Sequence, residues 1–245
     1  MSRTATTKSP GRSDRAAAPA RPIAVPREDE RYGPGSAGLK MTPEEFDDVP
    51  ASMFVPGYRY EIINGVLVVT PPVGDAEADP NDELGHLLRT YLESREAKQS
   101  FDRTMPERHV PGTPNRRRCD RAVWVGLGRL PETDRDVPAI VIEFVSSGRR
   151  DAYRDYEEKR DEYLNAGVKE YWIIDRFRRL MTIYKTKKTG RSPATTYDIV
   201  TEGRSYETKL LPGFPLPLSR LLEKADQWRP RKQSKPDPPA GGTDG

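Results

Sequence analysis

The feature that most constrains the fold is AIVIEFV at 139–145, a short apolar run rich in β-branched side chains. Such a run predicts a strand buried on both faces at the centre of a sheet. Glu143 lies inside the run, between Ile142 and Phe144. Because a carboxylate in the middle of a buried strand is costly unless it is paired or binds a metal, Glu143 is a candidate functional residue. A buried ion pair with arginine or lysine is the structural alternative.

Strands and helices alternate on both sides of this run. Asn64–Gly65 separates two β-rich runs within 58–70, which predicts a hairpin. This order of elements predicts an α/β or α+β fold, in which helices pack on a sheet. The other predicted strands are 101–110, 118–125, 169–175, 180–185, 196–201 and 206–211. The predicted helices are 81–98 and 151–166, the second ending at Gly167, with an amphipathic turn at 219–226.

The 245 residues are enough for one large domain or two small ones. The segments 1–40 and 229–245 are polar and rich in proline, so they cannot bury enough apolar surface to fold. We therefore predict disordered tails at 1–40 and 229–245 around one folded domain at 41–228. The domain opens with TPEEF, where Thr42 and Glu45 fit the capping box of a helix.

Charge is distributed unevenly along the chain. Residues 1–40 carry eight basic and four acidic side chains, and residues 227–245 carry four and two. Since the whole chain has a net charge of +3, the 186 residues between these segments carry −3. The predicted domain is thus slightly acidic, which excludes a strongly basic domain that coats nucleic acid.

Cysteine and histidine are too scarce for several kinds of site. Cys119 is the only cysteine, so neither an intramolecular disulfide nor a Cys-rich zinc site can form. His86 and His109 are the only histidines, too few for a His-rich metal centre. No apolar run approaches the roughly 18 residues of a membrane span, and no apolar signal segment is present near the start. We therefore expect a cytoplasmic protein with no membrane partner.

Two further carboxylates fall in predicted strands. Glu61 lies in the first strand of the hairpin, where the exposed position of an alternating strand is an equally good interpretation. Asp120 opens the strand CDRAVWV and follows three arginines, with which it could simply pair. An Asp at the head of one strand and a Glu on the next can also converge on one Mg²⁺ or Mn²⁺ ion, because these ions prefer oxygen ligands.

Phosphodiester hydrolysis at such a pair usually involves a lysine, which stabilises charge on the phosphate or orients water. The expected position, two residues after Glu143, holds Val145. The following helix offers Lys159, which shares a face with Asp155 and Tyr163. If that face packs beside Glu143, Lys159 could reach the site. From the pattern alone, an ordinary surface ion pair between Asp155 and Lys159 is favoured.

Five segments occur in an informative order: RYEIINGVLVV, CDRAVWV, VIEFVS, RDYEEKRDEYLNAGVKEYWIID and LLPGFPLPLSRLL. In these segments, which span roughly 42–225, the chain resembles the Uma-two family of restriction endonuclease-like proteins, within the PD-(D/E)xK nuclease superfamily. The resemblance implies a mixed central sheet flanked by helices and Mg²⁺-dependent DNA cleavage. It also implies that Glu61, Asp120 and Glu143 form a metal-binding acidic triad, and that Lys159 is the lysine that has moved from the strand to the helix.

Two positions depart from the family pattern. Cys119 stands where the family usually has proline, which affects only the entry to the strand. The histidine often found ahead of the first long helix has no counterpart in 75–83.

Three basic patches accompany the acidic residues, and they either contact DNA phosphates or form ion pairs within the protein. They are Arg116–Arg118, Arg149–Arg150 and Arg176–Arg179.

The sequence therefore predicts a Mg²⁺- or Mn²⁺-dependent endonuclease that acts on duplex DNA. One alternative is a catalytically silent nuclease-like module for binding or assembly, which the acidic charge of the domain mildly favours. Another is a hydrolase that acts on RNA with the same residues. A homodimer would suit cleavage of both strands, although the sequence shows no interface.

Overall fold

The computed structural model describes residues 30–94, 101–146, 154–189 and 192–228. Its strands are β1 (Arg59–Ile63), β2 (Val66–Thr70), β3 (Phe101–His109), β4 (Arg118–Val125), β5 (Ile140–Phe144), β6 (Glu170–Asp175), β7 (Leu180–Thr189), β8 (Ser192–Thr201), β9 (Ser205–Tyr206) and β10 (Leu216–Pro217). Its α-helices are α1 (Pro43–Asp47), α2 (Asp75–Leu92), α3 (Arg160–Ala166) and α4 (Leu218–Asp226). A π-helical segment, Arg154–Lys159, leads directly into α3.

The centre of the fold is a six-stranded sheet in which β3 to β8 lie side by side in chain order. β5 and β6 are parallel, and the other neighbouring strands are antiparallel. Helices pack on this mixed sheet, so the predicted fold class, a mixed central sheet flanked by helices, is confirmed. None of the helices in the described residues is both long enough and apolar enough to cross a membrane.

β5 is buried at all five positions, as the AIVIEFV run predicts. Successive side chains of a strand point to opposite faces of the sheet. Ile142 and Phe144 enter the apolar cluster formed with α2 and α4, whereas Val141 enters the cluster that contains Tyr163 of α3. Glu143 therefore lies on the α3 face of the sheet.

The Asn64–Gly65 turn joins β1 and β2 in the predicted hairpin. Both residues have positive φ, 51° and 74°, which asparagine and glycine tolerate best. The backbone N–H of Arg116 donates to the Ile62 carbonyl at 2.9 Å, and the Asn64 N–H donates to Asn115 Oδ1 at 2.8 Å. These bonds hold β1 beside the segment that enters β4.

The helices depart from the prediction mainly in α2, which begins at Asp75 and ends at Leu92. The predicted bounds of 81–98 are therefore wrong at both ends. The start was missed because the first turn is acidic and not apolar, a composition that the helix dipole favours. Pro80 lies inside the helix, where it removes one backbone hydrogen bond. The capping box at Thr42 and the end of α3 at Gly167, with φ of 105°, are as predicted.

The ends of the predicted domain also differ in detail. β8 begins at Ser192, earlier than the predicted 196, because it pairs with the whole of β7. Of the predicted strand 206–211, only Tyr206 lies in a strand, and together with Ser205 it pairs with β10. Some of the residues assigned to the first tail contact the domain, since the Tyr32 N–H donates to the Met53 carbonyl at 2.7 Å.

Candidate active site

Glu143 and Lys159 form a buried ion pair between β5 and the helix that leads into α3. Glu143 is 2% exposed and Lys159 is 3% exposed. Lys159 Nζ lies 2.9 Å from Glu143 Oε2 and 3.2 Å from Asp155 Oδ1. The Tyr163 hydroxyl donates to Glu143 Oε1 at 3.3 Å. The face shared by Asp155, Lys159 and Tyr163 therefore packs on the sheet, and its interpretation as a surface ion pair is wrong.

Asp120 lies beside this pair and is held by two donors. Its Oδ1 lies 3.3 Å from Arg59 Nη1, and its Oδ2 accepts the backbone N–H of Phe144 at 2.8 Å. The arginine that pairs with Asp120 is thus Arg59 of β1 and not one of the three that precede it in the chain. Because Phe144 directly follows Glu143, the second hydrogen bond fixes Asp120 next to Glu143.

Glu61 is buried and so does not occupy the exposed position of an alternating strand. Its Oε1 accepts the backbone N–H of Arg118 at 2.7 Å. Arg118 lies two residues before Asp120 in β4, and alternate residues of a strand share a face. The hairpin therefore places the Glu61 carboxylate against β4, the strand that contains Asp120.

Electrostatics couple these groups into one cluster. Burial alone would lower the pKa of Lys159, but the surrounding carboxylates raise it above the usual lysine value. Burial raises the pKa of Glu143 well above its usual range, Lys159 opposes this shift, and Asp120 and Asp155 add to it. The carboxylates that act on Lys159 are Asp155, Glu143, Glu61 and Asp120. Lys159 pairs with Glu143 and Asp155, and Arg59 pairs with Asp120.

A cleft of about 570 Å³ opens beside the cluster. Arg59, Glu61 and Lys159 line it, together with residues 70–77 and the side chains of Ser146, Arg176 and Trp228. Asp120 and Glu143 lie deeper, each paired with one of the lining cations. Ser146 lies two residues after the carboxyl end of β5, and Arg176 directly follows that of the parallel strand β6. This edge is the usual place for a ligand in an α/β sheet.

Asn81 of α2 fastens its helix to β4 next to Asp120. Its Nδ2 donates to the Asp120 carbonyl at 2.9 Å, and Arg121 Nε donates to its Oδ1 at 2.7 Å. Arg121 is buried against Gly85, where an added Cβ would lie only 2.5 Å from Arg121 Nη2. The backbone of Asp120 is thus held from the α2 side by Asn81, and a side chain at position 85 would displace the Arg121 guanidinium.

Most of the described arginines in the basic patches serve ion pairing within the protein. Arg149–Arg150 lies outside the described residues. Arg176 is the patch residue that lines the cleft. The arginines paired with carboxylates of the chain are Arg116 with Asp47, Arg117 with Glu158 and Glu162, Arg118 with Glu107, and Arg179 with Glu202 and Asp226.

Three lining residues were missed by the sequence analysis. Arg59 lies two residues before Glu61 in β1, so the alternation of the strand could have placed it on the same face. Glu77 lies in a segment crowded with acidic residues, and no pattern separates it from its neighbours. Ser146 comes just after β5, and the sequence gives no signal for its role.

The donor chemistry of the cluster fits a divalent cation. Within the described part of the chain, no group of three or more His, Cys, Asp or Glu side chains is already arranged to hold a metal ion. The cluster nevertheless brings buried carboxylate oxygens together, and these are the ligands that Mg²⁺ or Mn²⁺ prefers. Asp120 Oδ1 and Glu143 Oε2 would have to exchange their contacts with Arg59 and Lys159 for the ion.

The mixed sheet and the buried carboxylate cluster beside the cleft are those of a restriction endonuclease-like α/β protein. The model of the Uma2 family, described as "putative restriction endonuclease", matches residues 43–219. The chain therefore belongs to the Uma2 family. Membership of this family supports nuclease activity in general terms.

A solved structure has a similar fold, that of a putative nuclease belonging to DUF820 from Anabaena variabilis. It is 14% identical to this chain, the match covers 76% of this chain and 99% of that one, and the TM-score is 0.53. At this identity the similarity shows the fold alone. A search of the curated proteins finds no match.

Proposed function

We propose that the chain is an endonuclease that hydrolyses DNA phosphodiester bonds with the help of Mg²⁺ or Mn²⁺. The observation that carries the proposal is the buried set Glu61, Asp120, Glu143 and Lys159 beside the cleft. Several buried carboxylates beside one lysine provide what such hydrolysis needs, oxygen ligands for a metal ion and a cation for the phosphate. Family membership supports the reaction class.

Each residue of the set has a proposed role. Asp120 and Glu143 would hold the metal ion, and Glu61 would hold a second ion or orient the attacking water. The bound ion would lower the pKa of water and stabilise charge on the phosphate. Lys159, which already lines the cleft, would stabilise the charge that develops on the phosphate during cleavage.

A catalytically silent module for binding or assembly is the second candidate. One observation favours it, because Arg59 and Lys159 already neutralise part of the carboxylate charge without any ion. Calorimetric titration of the full chain with Mg²⁺ and with Mn²⁺ separates the two candidates. A nuclease must bind the ion at the cluster, so the heat of binding should vanish in Glu143→Ala, whereas a silent module need not bind it at all.

Cleavage is tested by incubating the full chain and supercoiled plasmid with Mg²⁺ or Mn²⁺. We expect nicking by the wild type and none by Asp120→Ala or Glu143→Ala, with both variants still folded by circular dichroism. Activity retained in either variant would contradict the metal-site assignment. If the folded wild type binds the ion but leaves plasmid intact, the same assay with single-stranded DNA and with RNA identifies the substrate.

A duplex DNA substrate also suggests an oligomeric state for the chain. Two chains with one active site each can cleave both strands of a duplex in one encounter, so we propose a homodimer on the duplex. Sedimentation velocity of the full chain with and without duplex DNA measures this directly, and a monomer in both conditions would contradict it.

A further inference from the structure

A second group of polar residues lines the same cleft. The Ser146 hydroxyl donates to Glu77 Oε2 at 3.0 Å, and Arg176 Nη2 lies 4.0 Å from Glu77 Oε1. These residues come from three separate elements, the first turn of α2 and the segments that follow β5 and β6. None of them belongs to the acidic cluster proposed for catalysis.

Among the described residues, three cations line the cleft, and they differ in how firmly they are held. Lys159 is in direct contact with two carboxylates, at 2.9 Å and 3.2 Å. Arg59 contacts Asp120 at 3.3 Å. The carboxylate oxygen paired with Arg176 is 4.0 Å away, at the outer limit of an ion pair, and the guanidinium also stacks on the neutral ring of Phe177 at 4.3 Å. Among these three, Arg176 is therefore the cation most available to an incoming anion.

The acidic cluster makes such a cation necessary. Nucleic-acid phosphates are anions, and the carboxylates beside the cleft repel them. A guanidinium can bind a phosphate through two parallel hydrogen bonds, which fixes its position as well as its charge. Arg176 is placed to do this at the carboxyl ends of β5 and β6, on the same sheet edge as Glu143.

We propose that Arg176 forms a subsite for a backbone phosphate of the nucleic-acid substrate, and that Glu77, held by Ser146, positions its guanidinium. The inference rests on the proposed function, since it requires a nucleic-acid substrate. The phosphate bound here is a neighbour of the scissile one, because the cluster around Glu143 and Lys159 takes the scissile phosphate.

The state of Glu77 agrees with this arrangement. Burial raises the pKa of Glu77 above its usual value, the Ser146 hydrogen bond opposes this shift, and the negative charge of Asp120 adds to it. The Glu77 carboxylate is thus repelled by Asp120, and at 4.0 Å it interacts only weakly with Arg176. A phosphate that binds Arg176 can replace this loose contact with direct hydrogen bonds.

The salt dependence of binding tests the subsite. Affinity of the full chain for a short fluorescent duplex is measured by anisotropy over a range of salt concentrations, in chelator and in Ca²⁺, which uses oxygen ligands as Mg²⁺ does. Arg176→Ala should weaken binding about tenfold at low salt and reduce the slope of log K against log salt by about 0.9. Arg176→Lys keeps the charge, so it should keep the slope while losing part of the affinity.

Arg178→Ala is the matched control. Arg178 lies in the same turn and is exposed, but it is outside the cleft lining, so its loss should leave the slope close to the wild-type value. Equal slopes for Arg176→Ala and Arg178→Ala, with a wild type that binds and cleaves, would overturn the subsite alone. A wild type that binds no nucleic acid would overturn the subsite together with the proposed function.

Glu77→Gln tests the positioning role with an effect of the opposite sign. The amide oxygen of glutamine can still orient the guanidinium, but without the carboxylate charge it competes less with the phosphate for Arg176, so binding should tighten severalfold. In the double variant Glu77→Gln with Arg176→Ala, most of this gain should disappear, because residues that share one partner are not additive. A full gain in the double variant would mean that Glu77 repels the nucleic acid directly, and it would overturn the positioning role.

Discussion

Two buried glutamates on the neighbouring parallel strands β5 and β6 have very different surroundings. Glu170 is 7% exposed and accepts hydrogen bonds from Trp172 Nε1 at 2.9 Å, Tyr206 Oη at 3.1 Å and Thr208 Oγ1 at 2.7 Å. Its direct donors are thus neutral side chains, and the nearest cation, Lys185, is farther away, with its Nζ 3.9 Å from Glu170 Oε1. Glu143 is still more buried, but it is surrounded by charges.

The difference separates a structural carboxylate from a candidate functional one. Neutral donors satisfy Glu170 and tie β6 to the segment around β9, so its burial is fully explained by structure. The neighbours of Glu143 include Asp120 and Asp155, which oppose its ionisation, and Lys159, which favours it. Since folding alone gives no reason to collect like charges at one buried point, burial is the weaker indicator of function and the charged surroundings are the stronger one.

The largest expected effect contrasts the two glutamates in cleavage. Glu143→Gln should reduce the nicking rate on the order of 10³-fold, because it removes a charged ligand and leaves the volume unchanged. Glu170→Gln, the matched control, should cleave at nearly the wild-type rate at a temperature where it is folded. Initial rates on supercoiled plasmid measure both. If the nicking rate fell by a comparable factor in both variants, Glu143 and Glu170 could not be distinguished as functional and structural residues.

Removing the lysine should show that charge pairing also stabilises the cluster. Lys159→Met leaves buried carboxylates without their cation, so we expect the free energy of unfolding to fall by about 3–5 kcal/mol. The double variant with Glu143→Gln should recover part of the loss, because one uncompensated charge is gone. Urea denaturation of the three proteins measures this, and a double variant less stable than Lys159→Met would contradict the charge argument.

The pH dependence of stability should separate the glutamates as well. Because the pKa of Glu143 is raised by folding, its protonated form favours the folded state. Its contribution to stability is complete below the unfolded pKa of about 4.3 and is lost as pH rises through the raised folded pKa. In metal-free buffer, Glu143→Gln should therefore lose less stability than the wild type as pH rises from acid towards neutral.

Glu170→Gln is again the control in this measurement, since the substitution leaves Glu143 in place. Urea denaturation at a series of pH values should give it the same trend as the wild type. The argument fails if Glu143→Gln and the wild type follow parallel curves across this range.

Much of the fold could be predicted from the sequence because its signals are local. AIVIEFV marked β5, Asn64–Gly65 marked the first hairpin, and TPEEF marked the start of α1. The start of α2 could not be predicted in the same way, since its first turns are acidic and contain Pro80. The conformation of the segment after β9 depends on the hydrogen bond from Thr208 to Glu170, two residues that are far apart in the sequence.

The candidate site was only partly predictable for the same reason. Glu143 was conspicuous because it interrupts an apolar run, and the family pattern supplied Glu61, Asp120 and Lys159. Glu170 went unnoticed because Lys169 precedes it and the strand there has just begun. The contacts that bring the site together depend on how the hairpin and helix pack on the sheet, which no short sequence window records.

The smallest effect is the stability cost of the structural carboxylate. Glu170→Gln replaces one acceptor oxygen with an amide that cannot accept a hydrogen bond, and its neighbours Trp172, Tyr206 and Thr208 are all donors. At least one buried donor loses its partner, which should cost about 1–3 kcal/mol of unfolding free energy. Thr208→Val removes a donor instead and should cost a similar amount. If both variants were as stable as the wild type, neutral hydrogen bonds would not explain why Glu170 is buried. Glu170 could then no longer serve as the structural carboxylate with which Glu143 is compared.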